Sequence, residues 1–265
     1  MARTVALIGF GAIAQEAFNA LEGDETIHIK QVLVRDRRLA ETQAAFGSSV
    51  GVISRIEDLS PEIDFVLECA GHEAVREIGP KVLSRGHDFG VISVGALAND
   101  ETLGKLRNAC TDGQSRLSIL AGAIGGIDAV AAAGDALEHI TYVSRKPPLS
   151  WSGSPAEKTH DLRAITEETE IFAGNARAAA IDFPKNANVV ATVALAGIGF
   201  ERTKVSLIAD PEATGNTHQI TARGPLFDFS FQTSGSALPA NPKTSALTAL
   251  SAVRALRARA PGISV

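Results

Sequence analysis

The chain has 265 residues, enough for one large or two modest domains with a substantial core. Hydrophobic residues make up 45% and charged residues 21%, an ordinary globular balance; the net charge of −5, with no basic block, argues against nucleic acid or an electrostatic membrane anchor as partner. The longest charge-free apolar runs, such as 186–200, fall short of the ~18–20 residues of a spanning helix. The opening "MARTVALIGFGA" lacks the separate regions of a signal peptide, and Cys69 and Cys110 match no metal spacing. A cytoplasmic protein with buried free thiols and no metal is expected.

Read in chain order, Thr4–Gly9 is an apolar strand ending in glycine, Ala12–Leu21 a helix, His28–Val34 a strand and Arg38–Phe46 a helix. A short strand follows near Val50–Ile53, then a strand at Asp64–Glu68, a helix over Glu73–Ser84, a strand at Phe89–Val94, a helix over Asp100–Ala109 and a closing strand at Leu117–Leu120. Strands alternating with helices at this spacing predict βαβ units and a parallel sheet. After residue 121 the pattern changes. "AGAIGGIDAV" leads into an Ala-rich helix ending near Glu138, and "ITYVSRK" is a strand. Residues 174–198 are mostly helical, interrupted around "FPKNAN". Strands are expected at Thr203–Ala209, Thr217–Arg223 and Leu226–Thr233, with a hairpin turn at "RGP". The last strand alternates, Phe227, Phe229 and Phe231 against Asp228, Ser230 and Gln232, as a half-buried antiparallel strand does. "NPKTSALTALSAVRALRAR" reads as a helix capped by Asn241, with Pro242 at its first position and a stripe of Leu247, Leu250, Val253 and Leu256. The expected organisation is a nucleotide-binding domain over 1–121, an α+β domain over 122–240, and a C-terminal helix within 241–265 that packs back on the first domain.

"IGFGAIAQ" places Gly9-x-Gly11-x-x-Ala14 between a strand and a helix. Gly9 permits the tight turn, Gly11 the approach of a pyrophosphate, and Ala14 close packing of helix on strand; this is the dinucleotide fingerprint of a Rossmann domain. The first helical residues, Ala12 and Ile13, offer N–H groups and a positive dipole end to the phosphates. A βα turn without a ligand is the alternative. The second strand ends "VLVRDRR". Arg35 suits a 2′-phosphate and Asp36 the ribose hydroxyls, so NAD and NADP both remain open. Ala70 and Gly71 of "ECAG" and Gly95 of "SVGAL" follow strands at the carboxyl edge, where such sheets bind ligands, although βα turns select small residues for their own reasons.

"GAIGGIDA" (122–129), "RKPP" (145–148), "FPKNANVVATVALAGIGF" (183–200), "ADPEATGNTHQI" (209–220) and "NPKTSALTALSA" (241–252), with "VGAL" (94–97) before them, resemble in order and spacing the motifs of the L-aspartate dehydrogenase family. The resemblance covers essentially the whole chain. It implies NAD(P)-dependent oxidation of L-aspartate to iminoaspartate, which hydrolyses to oxaloacetate and ammonia or feeds NAD biosynthesis. The reverse is reductive amination of oxaloacetate. It also implies a homodimer with an open-faced mixed sheet in the second domain.

By itself His218, on a strand face with Ile220 and Ala222, reads as a core histidine satisfied by one hydrogen bond. The resemblance makes it the catalytic residue, and imidazole suits removal of a proton from the substrate amine or activation of water. Asp210 is a turn residue before Pro211 or an orienter of the ring. The two substrate carboxylates require cations or N–H donors. Gly122, Ala123 and Ile124 of the turn are expected at the substrate, with Ala123 also near the cofactor; a hinge is the alternative. Lys146 and Lys185 are candidate charges or solvated lysines. Asn186 and Asn188 flank a helix start, where Asn often caps; the resemblance places Asn188 at nicotinamide and substrate. Thr244 and Ser245 are expected at the substrate or as caps of the last helix. The rivals are another reductase of the same architecture acting on a small oxo or imino acid, and a non-catalytic dinucleotide-binding redox sensor. Dihydrodipicolinate reductase would show a paired-His segment with a downstream Lys, absent here, and the lysine and carboxylate motifs of homoserine dehydrogenase are not found.

Overall fold

The structure, a computed structural model, describes residues 2–184, 186–238, 241–258 and 260; Ala237 and 241–244 are described by their backbone alone. The chain divides into two units, residues 1–122 with 248–265, and 123–247.

The first unit runs β1 (Arg3–Ile8), α1 (Ala12–Ala20), β2 (Ile27–Leu33), α2 (Asp36–Phe46), β3 (Gly51–Ile53), β4 (Phe65–Glu68), α3 (His72–Glu77), α4 (Gly79–Ser84), β5 (Asp88–Val91), α5 (Asp100–Gly113) and β6 (Leu117–Ile119). Among the described residues its sheet has the order β3-β2-β1-β4-β5-β6. All of its pairings are parallel. That is the doubly wound order of a Rossmann domain, with its switch point between β1 and β4. A parallel sheet covered by helices is buried on both faces, so its strands must be apolar runs rather than alternating ones. Val5, Leu7, Phe65, Val66 and Leu67 are accordingly fully buried.

The single helix expected over Glu73–Ser84 is two, α3 and α4. Pro80 lies in the first turn of α4, where its missing N–H is harmless, whereas in the interior of one continuous helix it would remove a backbone bond.

The second unit runs α6 (Ile127–Ala133), β7 (His139–Lys146), β8 (Thr169–Asn175), α7 (Ala176–Asp182), α8 (Ala187–Ala196), β9 (Lys204–Ala209), β10 (Asn216–Gly224), β11 (Phe227–Gly235), β12 (Ala237–Leu238) and β13 (Asn241–Ser245). Its main sheet, β11-β10-β7-β9-β8, is mixed: β7 and β9 are parallel and the other pairings antiparallel. One face carries Ile140, Tyr142, Ser144 and Lys146 of β7 and His218, Ile220 and Ala222 of β10, all buried. Helices cover this face: a methyl placed on Gly197, just past α8, would lie 3.3 Å from Ile140 of β7 and from Val130 of α6. The other face pairs Thr217 with Ser234, Gln219 with Gln232 and Arg223 with Asp228, a polar open surface. The hairpin turn is Pro225–Leu226, just after Gly224.

Strand β8 was not expected: "TEIFAGN" mixes acidic, apolar and small residues without alternation, and only pairing with β9 makes it a strand. The Ala-rich helix stops at Ala133, short of Glu138. The helical stretch 174–198 is broken between α7 and α8, where Phe183 turns inward against Trp151 and Phe172 at centroid distances of 6.1 and 5.2 Å.

The expected C-terminal helix begins later than its sequence implies. Residues 241–245 form β13 and pair with β12, Ala237 against Ser245 and Leu238 against Asn241. Helix α9 (Ala246–Arg257) starts only afterwards, so Asn241 is not its cap and Pro242 is not its first residue. Backbone groups committed to a ladder cannot also make helical bonds. The buried stripe is rotated as well: Ala249, Ala252, Val253 and Leu256 face inward, while Leu247 and Leu250 are 36% and 61% exposed. Ala252, Val253 and Leu256 belong to the core around β1, and Arg257 reaches the Ala20 carbonyl at 3.0 Å.

Candidate active site

Two groups of residues carry chemistry, one in each unit. In the first, β1 ends at a turn that only glycine can make. Gly9 has φ +85°, and a Cβ there would lie 2.8 Å from the Ala70 Cβ and 3.1 Å from the Cys69 carbonyl. Gly11 is the opposite case: its backbone is extended, and a Cβ would meet nothing within 4 Å. Gly11 is also the N-cap of α1 and supplies no side-chain cap, so the N–H groups of the first turn, at Ala12 and Ile13, are unclaimed by side chains. Ile13 itself packs on the core. In front lies a cavity of about 510 Å³ whose walls include Gly9, Gly11, Arg35, Arg38, Ala70 and Glu73. An open space over a glycine turn and free helix N–H groups fits a pyrophosphate.

At the end of β2, Val34 is buried and its N–H is tied to the Ile53 carbonyl at 2.9 Å. The next residue, Arg35, is exposed on the cavity wall, 3.6 Å from Glu73. Asp36 opens α2 and is exposed, where the helix dipole favours an anion.

The carboxyl ends of β4 and β5 are joined by Glu68, a fully buried carboxylate the sequence did not single out. Its Oε1 accepts from the N–H groups of Ala70 (2.7 Å) and Gly71 (2.6 Å) and from the Ser93 hydroxyl (2.9 Å); its Oε2 accepts from the Ser93 N–H (2.9 Å). The N–H groups of Ala70 and Gly71 are therefore committed. Gly95 sits in the short 3₁₀ turn Val94–Ala98 that follows Ser93. The signal available in the sequence was a charged residue closing an otherwise apolar strand, "FVLE". Next to it, burial and then the Glu68 charge push the Cys69 thiol well up, so it is no thiolate nucleophile.

The second group lies on the covered face of the mixed sheet. His218 of β10 is 7% exposed and Lys146 of β7 is 9% exposed. Tyr142 Oη and His218 Nδ1 are 2.7 Å apart. Lys146 Nζ donates to Asn186 Oδ1 and lies 5.1 Å from the centre of the Trp151 ring. Trp151 is itself held by its indole N–H on the Ile208 carbonyl at 3.2 Å. Asn186 occupies the N-cap position of α8 but makes no cap bond, because its amide is turned to Lys146. Burial, and then the Lys146 charge, lower His218 from its ordinary 6.5 to about 4, so the ring is neutral near pH 7. Burial pushes the Tyr142 phenol up, so it keeps its proton.

Structure therefore brings together His218, Lys146 and Asn186 of the expected residues, and adds Tyr142, Ser144 and Trp151. Tyr142 and Trp151 are the single Tyr and single Trp of the chain. Asp210 is not at the ring. Its Oδ1 accepts from the Glu212 N–H at 2.9 Å, closing the turn before β10. Asn188 is half-buried in the first turn of α8, its carbonyl accepting from the Thr192 hydroxyl at 2.9 Å. The Gly122 N–H is held by the Ser251 hydroxyl at 3.0 Å, the Ala123 carbonyl by the Thr233 hydroxyl at 3.1 Å, and Ile124 is buried. Thr244 and Ser245 end β13, with Ser245 directly before the first residue of α9. Lys185 lies outside the described residues. A separate cavity of about 560 Å³, walled by Leu149 and 157–163, holds neither His218 nor Lys146.

A Rossmann sheet with an open glycine turn, and a mixed sheet carrying a buried imidazole and ammonium, together define a dinucleotide-dependent oxidoreductase. Residues 9–119 match the family model for the NAD-binding domain of homoserine dehydrogenase, and 128–259 that for the C-terminal region of aspartate dehydrogenase. The chain is 43% identical to the L-aspartate dehydrogenase of Ralstonia nicotianae over 265 residues, covering 98% of this chain and 99% of that one. It is 43% identical to that of Acinetobacter baumannii over 260 residues, covering 98% of each. The aspartate dehydrogenase structure from Thermotoga maritima shares the fold, with a TM-score of 0.79, 24% identity and full coverage of both chains. The chain belongs to the L-aspartate dehydrogenase family. No helix among the described residues is long and apolar enough to cross a membrane.

Proposed function

We propose that this protein oxidises L-aspartate to iminoaspartate with NAD(P), releasing oxaloacetate and ammonia on hydrolysis, and that it also runs the reductive amination of oxaloacetate. The observation that carries this reading is the buried set of His218, Lys146 and Asn186 on one face of the mixed sheet. An amino dicarboxylate needs a cation for a carboxylate and a neutral base for its ammonium. Lys146, steadied by Asn186 and Trp151, is the cation, and His218 is the base.

The bound nicotinamide supplies hydride acceptance and donation. The chain does the rest. The Gly9–Gly11 turn and the first N–H groups of α1, at Ala12 and Ile13, hold the phosphates. Glu68 holds the turns carrying Ala70, Gly71 and Gly95 in place. Lys146 draws a substrate carboxylate into a dry site. His218 takes a proton from the substrate ammonium, freeing the nitrogen lone pair that lets the Cα–H bond break. A resting value of about 4 makes His218 a weak base in the free protein. Arrival of two carboxylates adds negative charge beside the ring and offsets Lys146, so the ring becomes more basic when substrate is present. We assign Asn188, Gly122, Ala123, Ile124, Thr244 and Ser245 to the walls of the substrate and nicotinamide site.

For the cofactor, Arg35, Arg37 and Arg38 on the cavity wall and the buried Val34 at the strand end support acceptance of a 2′-phosphate, while Asp36 is the nearest candidate for the ribose hydroxyls of NAD. We infer that both cofactors enter and that NADP(H) is favoured. The polar open face of the mixed sheet supports a homodimer built on it, and iminoaspartate as product supports a role in supplying NAD biosynthesis in the cytoplasm.

The test is absorbance at the reduced-nicotinamide band with protein, NADH or NADPH, oxaloacetate and ammonium. Controls omit ammonium or replace oxaloacetate with pyruvate or 2-oxoglutarate. Oxidation that needs ammonium and is confined to oxaloacetate supports the reading. Oxidation without ammonium, or with every oxo acid alike, removes it.

A further inference from the structure

Among the described residues, one buried side-chain polar atom of the mixed sheet has no hydrogen-bond partner. It is the hydroxyl of Ser144, which is fully buried. An unpaired buried hydroxyl is costly, and a native structure that keeps one invites an account of it. The ladder shows where it is. In the β7–β10 register Ser144 lies directly opposite His218, and Tyr142 opposite Ile220. Residues opposite or diagonal on one face of an antiparallel pair are neighbours, so Ser144, His218 and Tyr142 form a cluster. The Ser144 hydroxyl lies close enough to the phenol for a weak hydrogen bond between them to act on its ionisation, but falls short of full bonding geometry.

The phenol has one proton and two acceptors in reach. As the structure stands, Oη and His218 Nδ1 are 2.7 Å apart, a bond whose direction follows the ring's tautomer, and at full hydrogen-bond geometry only Nδ1 as acceptor gives the phenol proton a partner. An Nδ1 that accepts cannot carry hydrogen, so the neutral ring holds its proton on Nε2. In that setting the nitrogen not engaged by Tyr142 is a donor. Turned toward Ser144 Oγ, the same phenol would donate to serine and accept from Nδ1–H. Nε2 is then bare, and Ser144 is no longer unpaired.

We propose that Tyr142 is the positioning residue of His218, and that its hydroxyl moves between His218 Nδ1 and Ser144 Oγ, making Nε2 a donor in one setting and a base in the other. The inference rests on His218 being the acid–base group of the function proposed above. In the oxidative direction the substrate ammonium gives a proton to Nε2. The ring becomes imidazolium, its Nδ1–H donates to Tyr142 Oη, and the phenol O–H goes on donating to Ser144 Oγ. In the reductive direction the Nε2 proton returns to the substrate nitrogen. The change of tautomer between the settings is made by solvent water before substrate binds, water taking the Nε2 proton and returning one to Nδ1, so the count balances and the phenol keeps its own proton throughout. Lys146 is the charged group acting on the ring. Its charge disfavours imidazolium, which makes the Nδ1 acceptor the more useful.

Nitrogen NMR of the protein with ¹⁵N-labelled histidine reads the arrangement directly, with His218→Asn identifying the signal. At neutral pH and without substrate, the expected pattern is a protonated Nε2 and a bare, hydrogen-bonded Nδ1. Tyr142→Phe should lose that preference and lower kcat roughly 10- to 100-fold, with little change in the KM for cofactor. Ser144→Ala should keep the resting pattern and lower kcat for aspartate oxidation by roughly tenfold. A resting ring protonated on Nδ1 overturns the proposal. So does a Tyr142→Phe protein with unchanged ring signals, or a Ser144→Ala protein that oxidises aspartate at the wild-type rate. Should Tyr142→Phe not fold, the wild-type signals and Ser144→Ala decide. The ring signals need no substrate, so a failure of wild-type turnover strikes the aspartate reading alone.

Discussion

The two sheets of this protein position function in opposite ways. The parallel sheet works through backbone. Gly9 and Gly11 act by lacking side chains, and the free N–H groups belong to a helix end, so the parts of that site are consecutive in the chain. The mixed sheet works through side chains. Tyr142 and His218 are separated by 76 residues and Lys146 and Asn186 by 40, and only strand pairing and a helix break bring each pair together. A backbone site tolerates change at neighbouring side chains but not at its glycines. A side-chain site depends on several distant residues at once, each with its own electrostatic effect on the others.

The contrast can be broken at His218. His218→Ala should reduce kcat by about 10²–10⁴-fold, the usual worth of a positioned acid–base group, while NADPH binding, read by the fluorescence of the reduced nicotinamide, is kept. Turnover near the wild-type rate would remove the side-chain half of the comparison.

Gly9→Ala tests the other half. A positive φ and a contact of 2.8 Å with Ala70 should together cost about 2–5 kcal/mol of stability, and cofactor binding should be lost. Urea unfolding and NADPH titration measure both, and an intact affinity would show that the turn is not a phosphate site.

One contribution to the pH dependence of stability comes from His218 in the mixed sheet. The folded value of His218 is depressed from 6.5 to about 4, so its contribution is present above about 6.5 and is lost as pH falls through about 4. The loss should reach up to about 3 kcal/mol. It appears as a fall in the urea midpoint of the wild type that is smaller in His218→Gln; equal falls in the two proteins would refute the burial of a neutral ring.

A smaller effect is expected at Lys146→Met, which keeps the buried stem and removes the charge. KM for the dicarboxylate should rise roughly 10- to 100-fold. The His218 value should move upward from about 4, yet stay below 6.5 because burial, the larger cause, remains. A histidine NMR titration checks the direction. Smallest of all, Arg35→Glu should weaken NADPH roughly tenfold and spare NADH. Equal effects on both cofactors would take Arg35 out of the 2′-phosphate site.

Much of this is legible in the sequence. Apolar runs separated by helices at regular spacing specify a parallel sheet, because only strands buried on both faces are written that way. The phosphate turn was legible because its parts are adjacent and each has a steric reason. Alternation in 227–233 marked a half-buried antiparallel strand. What failed to show were elements whose identity depends on a partner. Strand β8 has no alternation of its own. Residues 241–245 carry a good helix start, Asn-Pro, yet pair with β12. Leu247 and Leu250 are apolar but face outward, since alanines on the other side of α9 fit the core more closely.

For the site, the sequence alone determined that a glycine turn opens a helix and that a histidine occupies an apolar strand face. It left open whether that histidine was structural, and it read Asp210 first as a turn residue and only second as an orienter of the ring. Tertiary structure decided that Asp210 closes its own turn, that the ring is held by a phenol from the neighbouring strand, that Asn186 turns from capping to hold Lys146, and that Glu68 ties two loops. The physical reason is range. Steric and conformational preferences act over a few residues and are written where they act, whereas burial, hydrogen-bond partners and charge proximity are set by which strands lie side by side.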